Sequence, residues 1–371
     1  QQSKYILQKM KVQKVRIPDS EQVTWLVLDD NYLPVPPIQS YLRYLDSLER
    51  SPNTIHAYAG HLKLYWEFLH NLHLNWVEVT LENLADFIHW LRCPEPKVTS
   101  IQVQESKRTE KTINAVLAAV CGFYEFQERL GKTEGIDVYR YQFQPGRKYK
   151  PFLHHINKGK EVRTRLLKLK EPKTFPGTLT TEQIKQLVEA CSRQRDKFLI
   201  CLLHESGVRI GEALGLRHED IHTGGSNEIH IIPRDNNANG ARAKSNSSRV
   251  VHVSKELMTL YSDYLINEYP ENVDSDYVFI NIWDGQIGSP ITYPTVASLF
   301  SRLEKKTGVD ARPHLFRHTH ATDLIRDGWD MAHVQKRLGH ASVQTTINTY
   351  THLTDEDLKK AYQQYLQERD K

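Results

Sequence analysis

The first half of the chain contains four stretches in which apolar residues recur every three or four positions, the spacing of one helix face. The first covers residues 38–49. The second begins at Ser51-Pro52, a capping residue followed by the proline that the first helical position tolerates. The third runs from Thr80 to Leu91, and the fourth runs from Thr109 to Gly131, a residue suited to a helix C-terminus. Four helices with short connections predict a compact all-α domain at residues 34–132.

The second half opens with a helix signal and then changes period. Thr180 and Gln183 have capping-box spacing, so helices are predicted near residues 181–193 and 195–206, with Gly207 ending the second. After a few short strands, which end at residue 280, the remainder of the chain is predicted to be helical.

Three short apolar runs predict strands in this second half. Residues 229–233 and 249–253 flank a tip rich in Gly and Asn, which predicts a hairpin, and residues 277–280 predict one more short strand. Ser254 is placed to cap the helix that follows. The expected fold is therefore mainly α with a small β-sheet, with a mixed α/β domain at residues 177–353.

Three other segments lie outside these two domains. Residues 1–33 are predicted to be a basic arm with a short strand, and residues 133–176 a basic linker. The linker includes Lys148 and Lys150, for which contact with DNA phosphates and simple solvation are both open. Residues 354–371 are predicted to hold a C-terminal helix that contacts either a neighbouring subunit or its own domain.

Composition narrows the class of protein. The net charge of +4 is too small to prove a nucleic-acid partner. Only the concentration of basic residues in the linker indicates such a partner. No run of about 18 apolar residues or secretory signal is apparent, and the four cysteines lack CxxC spacing. We expect reduced thiols in a cytosolic protein, with no membrane span.

Candidate chemistry lies near the C-terminus, in the order His314, Arg317, His340, Tyr350. His314 and Arg317 share one face of a helix that is otherwise largely apolar. A buried guanidinium needs a partner, and a phosphodiester matches its flat fork of donors. A downstream tyrosine can attack such a phosphate.

Arg209 completes this set from a distant part of the sequence. It follows Gly207, which ends one helix, and Glu212 is placed to orient its guanidinium. A surface pair of Arg209 and Glu212 is the alternative. His314 and His318 at i, i+4 can also bind zinc, although no third ligand lies nearby.

The sequence motifs around these residues, here called boxes, resemble those of the tyrosine recombinase (phage integrase) family. The segment Gly207-Val-Arg-Ile-Gly-Glu-Ala-Leu214 is similar to its first arginine box, and residues 338–353 are similar to its nucleophile box. Residues 38–131 resemble its core-binding (SAM-like) helices. The likeness is greatest to phage and transposon enzymes, including transposase A proteins.

The resemblance implies a role for each box. Tyr350 would be the nucleophile that forms a 3′-phosphotyrosine, Arg209 and Arg317 would clamp the phosphate, and His314 and His340 would bond its oxygens or assist proton transfer. Lys244, in the hairpin, would protonate the leaving 5′ oxygen, although its gap to Arg249 is slightly longer than expected. Arg242 and Arg249 are poorer proton donors.

The resemblance also implies partners and a location. The partners are double-stranded DNA, three further copies in a homotetramer, and accessory recombination proteins, and the location is the bacterial cytosol, with the nucleoid. We see no Walker A loop and no clustered carboxylates for Mg²⁺, so we predict no cofactor, metal or ATP. Base-contacting candidates lie on the exposed faces of the second and fourth helices, where solvation is the alternative. They are Thr54, Tyr58, Arg108, Lys111 and Asn114.

Other functions remain open from the residues alone. A type IB topoisomerase uses similar chemistry without pairing two DNA sites. A non-enzymatic DNA-binding module would leave Arg209, Arg317, His340 and Tyr350 unexplained. A metal-dependent nuclease would lose activity in EDTA.

Overall fold

The computed structural model describes residues 10–16, 23–92, 106–134, 136, 139–142, 162–172, 177–243, 247–283 and 285–339. The chain divides into two compact units, residues 1–173 and 174–371. No helix within the described ranges is both long and apolar enough to cross a bilayer.

The first unit is built on four helices, close to the predicted ones. They are α1 (Pro36–Ser47), α2 (Pro52–Asn71), α3 (Leu81–Arg92) and α4 (Glu110–Arg129). The Ser51 side chain accepts a hydrogen bond from Thr54 N, which confirms the predicted cap, and Thr109 caps α4 in the same way. Large aromatic side chains fill the space between the helices, including Tyr65, Phe87, Phe123 and Tyr124.

A β-hairpin packs on this helical core. Its strands β1 (Lys11–Arg16) and β2 (Val23–Leu28) are antiparallel, and β2 contacts α2. Val27 is buried, and the Trp25 ring stacks on His56 at 3.8 Å between centroids. The segment predicted as an arm with a short strand thus contributes two strands and apolar side chains to the first unit.

Part of the segment predicted as a linker also belongs to this unit. Strands β3 (Tyr139–Gln142) and β4 (Val162–Arg165) pair antiparallel. After β4, Leu167 and Leu169 pack against the helical core. Lys148 and Lys150 lie outside the described residues.

The second unit is arranged around one central helix. Helix α5 (Thr181–Ala190) begins with the predicted capping box of Thr180 and Gln183, and α6 (Gln194–Ser206) follows it. Apolar side chains surround α6 on most sides, so the helix is buried between α5, α8 and α10. Gly207 ends α6 with φ of 62°, as predicted.

A short helix and a small sheet follow α6. Helix α7 (Ile210–Ala213) and a 3₁₀ turn (His218–Asp220) lead to the antiparallel strands β5 (Ile221–His222), β6 (Glu228–Ile231) and β7 (Arg249–His252). These strands confirm the predicted hairpin. The predicted strand at residues 277–280 is wrong, because this run forms only isolated bridges, to Arg217 and Pro290, while Val278, Phe279 and Ile280 are buried in the core.

Four more helices complete the described part of this unit. They are α8 (Lys255–Asn267), capped by Ser254 as predicted, α9 (Tyr293–Thr307), α10 (Pro313–Arg326) and α11 (Met331–Leu338). Helix α10 packs on α6 and α11, and α11 also contacts β7. The predicted C-terminal helix lies outside the described residues.

Candidate active site

The turn after α6 positions Arg209. Gly207 turns the chain in the left-handed region, Val208 is buried in the core, and Arg209 directly precedes α7. The backbone N–H of Arg209 donates to Glu212 Oε2 at 2.9 Å, and its Nη1 donates to Oε1 at 3.1 Å. Glu212 therefore orients this guanidinium, as the sequence suggests, while 19% of the Arg209 side chain stays exposed.

Glu212 has a second arginine partner. Arg249, the first residue of β7, donates from Nη1 to Oε1 at 3.1 Å and from Nη2 to Oε2 at 2.7 Å. Burial opposes the charge of this fully buried carboxylate. The hydrogen bonds and positive charges of Arg249 and Arg209 outweigh that effect, so the pKa of Glu212 is lowered. The carboxylate is thus ionised and shared between two guanidiniums.

Arg317 connects two other parts of the second unit. It is buried on α10, where Nη1 donates to Gly207 O at 2.7 Å and Nη2 donates to Leu338 O at 2.6 Å. Gly207 lies two residues before Arg209, and Leu338 lies two residues before His340. The side chain of Arg317 therefore joins the first arginine box to the start of the predicted nucleophile box.

The two histidines beside Arg317 differ in exposure. His314, at the start of α10, is exposed, and its ring lies 6.2 Å from that of His318, centroid to centroid. Burial lowers the pKa of His318, and the positive charges of His314 and Arg317 lower it further. His318 is therefore a neutral imidazole at neutral pH, and His314 is the more accessible of the two.

Lys244, His340 and Tyr350 lie outside the described residues, but their neighbours in sequence are described. Gly211 lies directly against the main-chain carbonyl of Arg242, two residues before Lys244, and has no space for a Cβ. Gly339, one residue before His340, packs on the Arg249 guanidinium in the same way. The described part of the hairpin thus contacts the first arginine box, and the end of α11 contacts Arg249 of β7.

The sequence did not reveal the contacts that two arginines and one histidine make in this region. Arg249 was considered only as a proton donor. Its pairing with Glu212 was missed because the two residues lie 37 positions apart in the sequence. Arg337 donates to Glu205 O and His252 O, both at 3.0 Å, and from Nε to Nε2 of His320 at 3.0 Å. Their only sequence signal is position, since Arg337 and His320 each lie within three residues of a predicted box.

The base-contacting candidates in the first unit have different surroundings. Lys111 is exposed, whereas Arg108 donates to Leu91 O at 3.0 Å. The Thr54 hydroxyl bonds to Ser51 Oγ at 2.9 Å, and Tyr58 is half-buried near Tyr41.

Asn114 requires a correction. It is buried, its Nδ2 donates to Leu169 O and Glu171 Oε1, and its Oδ1 accepts from Leu169 N. Its amide donors are used within the first unit, so the expectation that Asn114 contacts a base is not supported.

Comparison with known proteins places this geometry in a family. The model of the phage integrase family matches residues 177–357, and that of the phage integrase N-terminal SAM-like domain matches residues 38–131. Transposase A from transposon Tn554 of Staphylococcus aureus is 45% identical over 362 residues, which are 97% of this chain and 99% of that protein. Tyrosine recombinase XerA of Pyrococcus horikoshii is 25% identical over 87% of this chain and 91% of its own.

Solved structures share the fold at lower identity. The Tn1549 transposon integrase, solved with a circular intermediate DNA, aligns with a TM-score of 0.60 and 16% identity over 88% of this chain and 99% of that one. The XerH recombinase, solved in a post-cleavage complex with a palindromic difH substrate, aligns with a TM-score of 0.57 and 19% identity over 84% and 79% of the two chains. From the two family models and the full-length similarity to transposase A, we conclude that this chain belongs to the tyrosine recombinase (phage integrase) family of site-specific DNA recombinases.

Proposed function

We propose that this recombinase serves a mobile element and that Tyr350 is its nucleophile. The Tyr350 oxygen attacks the scissile phosphorus, the bond from phosphorus to the 5′ oxygen breaks, and a 3′-phosphotyrosine forms. The ester keeps the energy of the broken bond. A 5′ hydroxyl from another DNA end then attacks the same phosphorus and releases the tyrosine, so the strand is rejoined without ATP.

Arg209 and Arg317 are proposed to clamp the phosphate. Negative charge grows on the non-bridging oxygens as phosphorus becomes five-coordinate, and a donor held in place for that charge is typically worth about 3–4 kcal/mol. The observation that carries the proposal is the pair of hydrogen bonds that Arg317 donates, one to Gly207 O and one to Leu338 O. It connects segments far apart in sequence, which is what a shared phosphate site requires.

Lys244 is proposed as the acid and His314 and His340 as phosphate ligands. The leaving 5′ alkoxide is strongly basic, so a proton donor is expected to contribute on the order of 100- to 10,000-fold in rate. Contact of Gly211 with Arg242, two residues before Lys244, supports delivery of the hairpin to this site. The exposure of His314 on α10 supports its access to a bound phosphate.

Transposition is the proposed biological reaction. Similarity to transposase A along nearly the whole chain supports a transposon over a housekeeping role. In this proposal, residues 34–132 bind double-stranded DNA together with the arm (1–33) and the basic segment (133–176), and residues 177–353 cut it. Residues 354–371 join four copies into a tetramer on paired DNA sites, with accessory recombination proteins and a location in the bacterial cytosol.

A nicked suicide substrate tests the nucleophile. DNA carrying the joined ends of the element, nicked next to the cleavage site, loses the short 5′-hydroxyl product and traps the covalent complex. We expect wild-type protein and Tyr293→Phe, whose exposed ring begins α9, to form the complex, and Tyr350→Phe to form none. Covalent complex with Tyr350→Phe would overturn the nucleophile assignment.

The same reagents separate the alternative functions. Strand exchange between two element ends supports the recombinase, whereas relaxation of random-sequence plasmid without such exchange would favour a topoisomerase. Loss of cleavage in excess EDTA would favour a metal-dependent nuclease.

A further inference from the structure

Arg249 uses all three of its guanidinium nitrogens inside the second unit. Nη1 and Nη2 donate to the two oxygens of Glu212, and Nε donates to Arg337 O at 2.9 Å. Only 7% of the side chain is exposed. One rigid, planar group therefore connects β7, α7 and the end of α11.

Through Glu212, Arg249 acts on Arg209. Both Glu212 oxygens bond to Arg249, and each also accepts one hydrogen bond from Arg209. If Arg249 is removed, the buried carboxylate of Glu212 loses the two hydrogen bonds that Arg249 donates, and it must rotate toward Arg209 or toward solvent. Either movement changes where the Arg209 guanidinium is held.

Arg249 also fixes the turn at the end of α11. Gly339 adopts φ of 66°, and a Cβ at this position would lie 2.8 Å from Arg249 Nη1. Arg249 therefore fills the space against this turn and binds Arg337 O, while Arg317 binds the carbonyl of the following residue, Leu338 O. The chain leaves this turn directly into His340 and reaches Tyr350 ten positions later.

We propose that Arg249 is a positioning residue that sets Arg209 relative to the segment carrying the nucleophile. It does not touch the phosphate; it acts through Glu212 on one side and through the α11 turn on the other. The inference rests on the proposed function, because it assumes that Arg209 and Tyr350 act on the same phosphorus. It predicts a defect in the cleavage rate rather than in DNA binding.

A matched pair of variants tests this role. Arg234 makes a similar paired contact in the same unit, donating to the two oxygens of the fully buried Asp220 at 2.7 and 2.9 Å, and it has no bond to Arg209 or α11 among the described residues. Lysine keeps the charge but cannot reach three acceptors, so Arg249→Lys and Arg234→Lys remove comparable fork contacts.

We expect Arg249→Lys to slow single-turnover cleavage of the nicked substrate at saturating DNA by 10- to 100-fold. Its Kd for DNA should stay within threefold of wild type, and Arg234→Lys should cleave within threefold of wild type. The inference would be overturned if the two variants slowed cleavage equally. It would also be overturned if Arg249→Lys weakened DNA binding (a higher Kd) but left the cleavage rate at saturating DNA unchanged. If Arg249→Lys fails to fold, Glu212→Asp replaces it, because the shorter acid keeps its charge but cannot span both arginines.

A double-variant cycle supplies an independent readout. If Arg249 acts on Arg209 through Glu212, combining Arg249→Lys with Glu212→Gln should slow cleavage little more than the slower single variant. Fully multiplicative rate losses would contradict the coupling. If wild-type protein formed no Tyr350-dependent complex, the proposed function would fail and take this inference with it; if the complex forms and the two arginine variants slow alike, only the inference fails.

Discussion

Arg337 donates a hydrogen bond from Nε to Nε2 of His320 over 3.0 Å, and this bond fixes the state of the imidazole. A guanidinium has no acceptor, so Nε2 must be unprotonated and His320 must be neutral. Burial is the largest cause that lowers the pKa of His320, and the positive charges of Arg337, His204 and Arg317 add to it, so that together they bring this pKa to about 3. The side chain that follows the predicted His-x-x-Arg box by three positions is therefore part of the internal support of α10 and α11.

This pairing predicts a loss of stability in mild acid. The pKa of His320 is lower in the folded protein than in the unfolded chain, so between about pH 6.5 and 3 the unfolded chain binds a proton that the folded protein does not. Stability contributed by this site is complete above pH 6.5 and falls as the pH drops, by about 1.4 kcal/mol at pH 5.5. Urea unfolding of the full chain at pH 7.5 and pH 5.5 measures the difference.

His320→Gln serves as the control for that measurement. The amide oxygen of glutamine can accept from Arg337 without titrating, so the change in stability between the two pH values should shrink by about 1.4 kcal/mol. Other histidines with lowered pKa values, such as His204 and His318, remain in both proteins. An unchanged pH dependence in His320→Gln would show that His320 is not the titrating group.

Two glycines at helix ends should respond differently to alanine. Gly207 and Gly308 both end helices in the left-handed region, with φ of 62° and 75°, so each alanine is strained by roughly 1–2 kcal/mol. A Cβ at Gly207 would also lie 2.6 Å from Cδ2 of His320, whereas a Cβ at Gly308 meets nothing within 4 Å. We expect Gly207→Ala to be clearly less stable than Gly308→Ala in urea, and to slow DNA cleavage because Gly207 O binds Arg317. Equal stability of the two variants would mean that His320 moves aside without cost.

Two buried tyrosines in the first unit form an ordered chain of hydrogen bonds. Tyr124 donates to Trp76 O at 2.9 Å, so Tyr65 must donate to the Tyr124 oxygen over the 2.7 Å between them. Burial raises the pKa of both hydroxyls above the ordinary value, so both stay protonated. Tyr65→Phe should cost about 1 kcal/mol or less, because Tyr124 keeps its acceptor.

Tyr124→Phe should cost more, about 1–3 kcal/mol, because the Tyr65 hydroxyl and Trp76 O both lose their partner. Tryptophan fluorescence follows unfolding of this unit, since four of the six tryptophans, Trp25, Trp66, Trp76 and Trp90, lie in it. A larger cost for Tyr65→Phe than for Tyr124→Phe would reverse the assigned direction of the bonds.

The features predicted correctly from the sequence are those set by neighbouring residues. The caps at Ser51, Thr180 and Ser254 were predicted because each side chain bonds to a backbone N–H three residues away. Asn114 was assigned to a solvent-facing surface because its partner, Leu169, lies 55 positions away. The short apolar run at residues 277–280 has the composition of a strand, but burial alone does not give it a partner for a ladder.

The candidate site divides in the same way. Arg209 and Glu212 are three residues apart, and a helix start brings such residues together, so their pairing was predictable. The pairing of Glu212 with Arg249 depends on where the hairpin packs, and the bonds from Arg317 to Gly207 and Leu338 depend on how α6, α10 and α11 pack. Periodicity in one sequence carries no information about such contacts between elements.

Lys111 offers a test of the surface that binds DNA. It is exposed near the start of α4, whereas Lys132 is exposed just beyond the end of the same helix, so the two lysines form a matched pair at opposite ends. A lysine that contacts a phosphate releases about one counterion, so Lys111→Ala should make the slope of log K against log salt concentration shallower by about 1. Lys132→Ala should leave that slope unchanged. Binding measured by fluorescence anisotropy between 50 and 200 mM salt, about the range where this effect is large, supplies both slopes. If Lys111→Ala kept the wild-type slope while Lys132→Ala lost one unit, DNA would lie along the opposite end of α4.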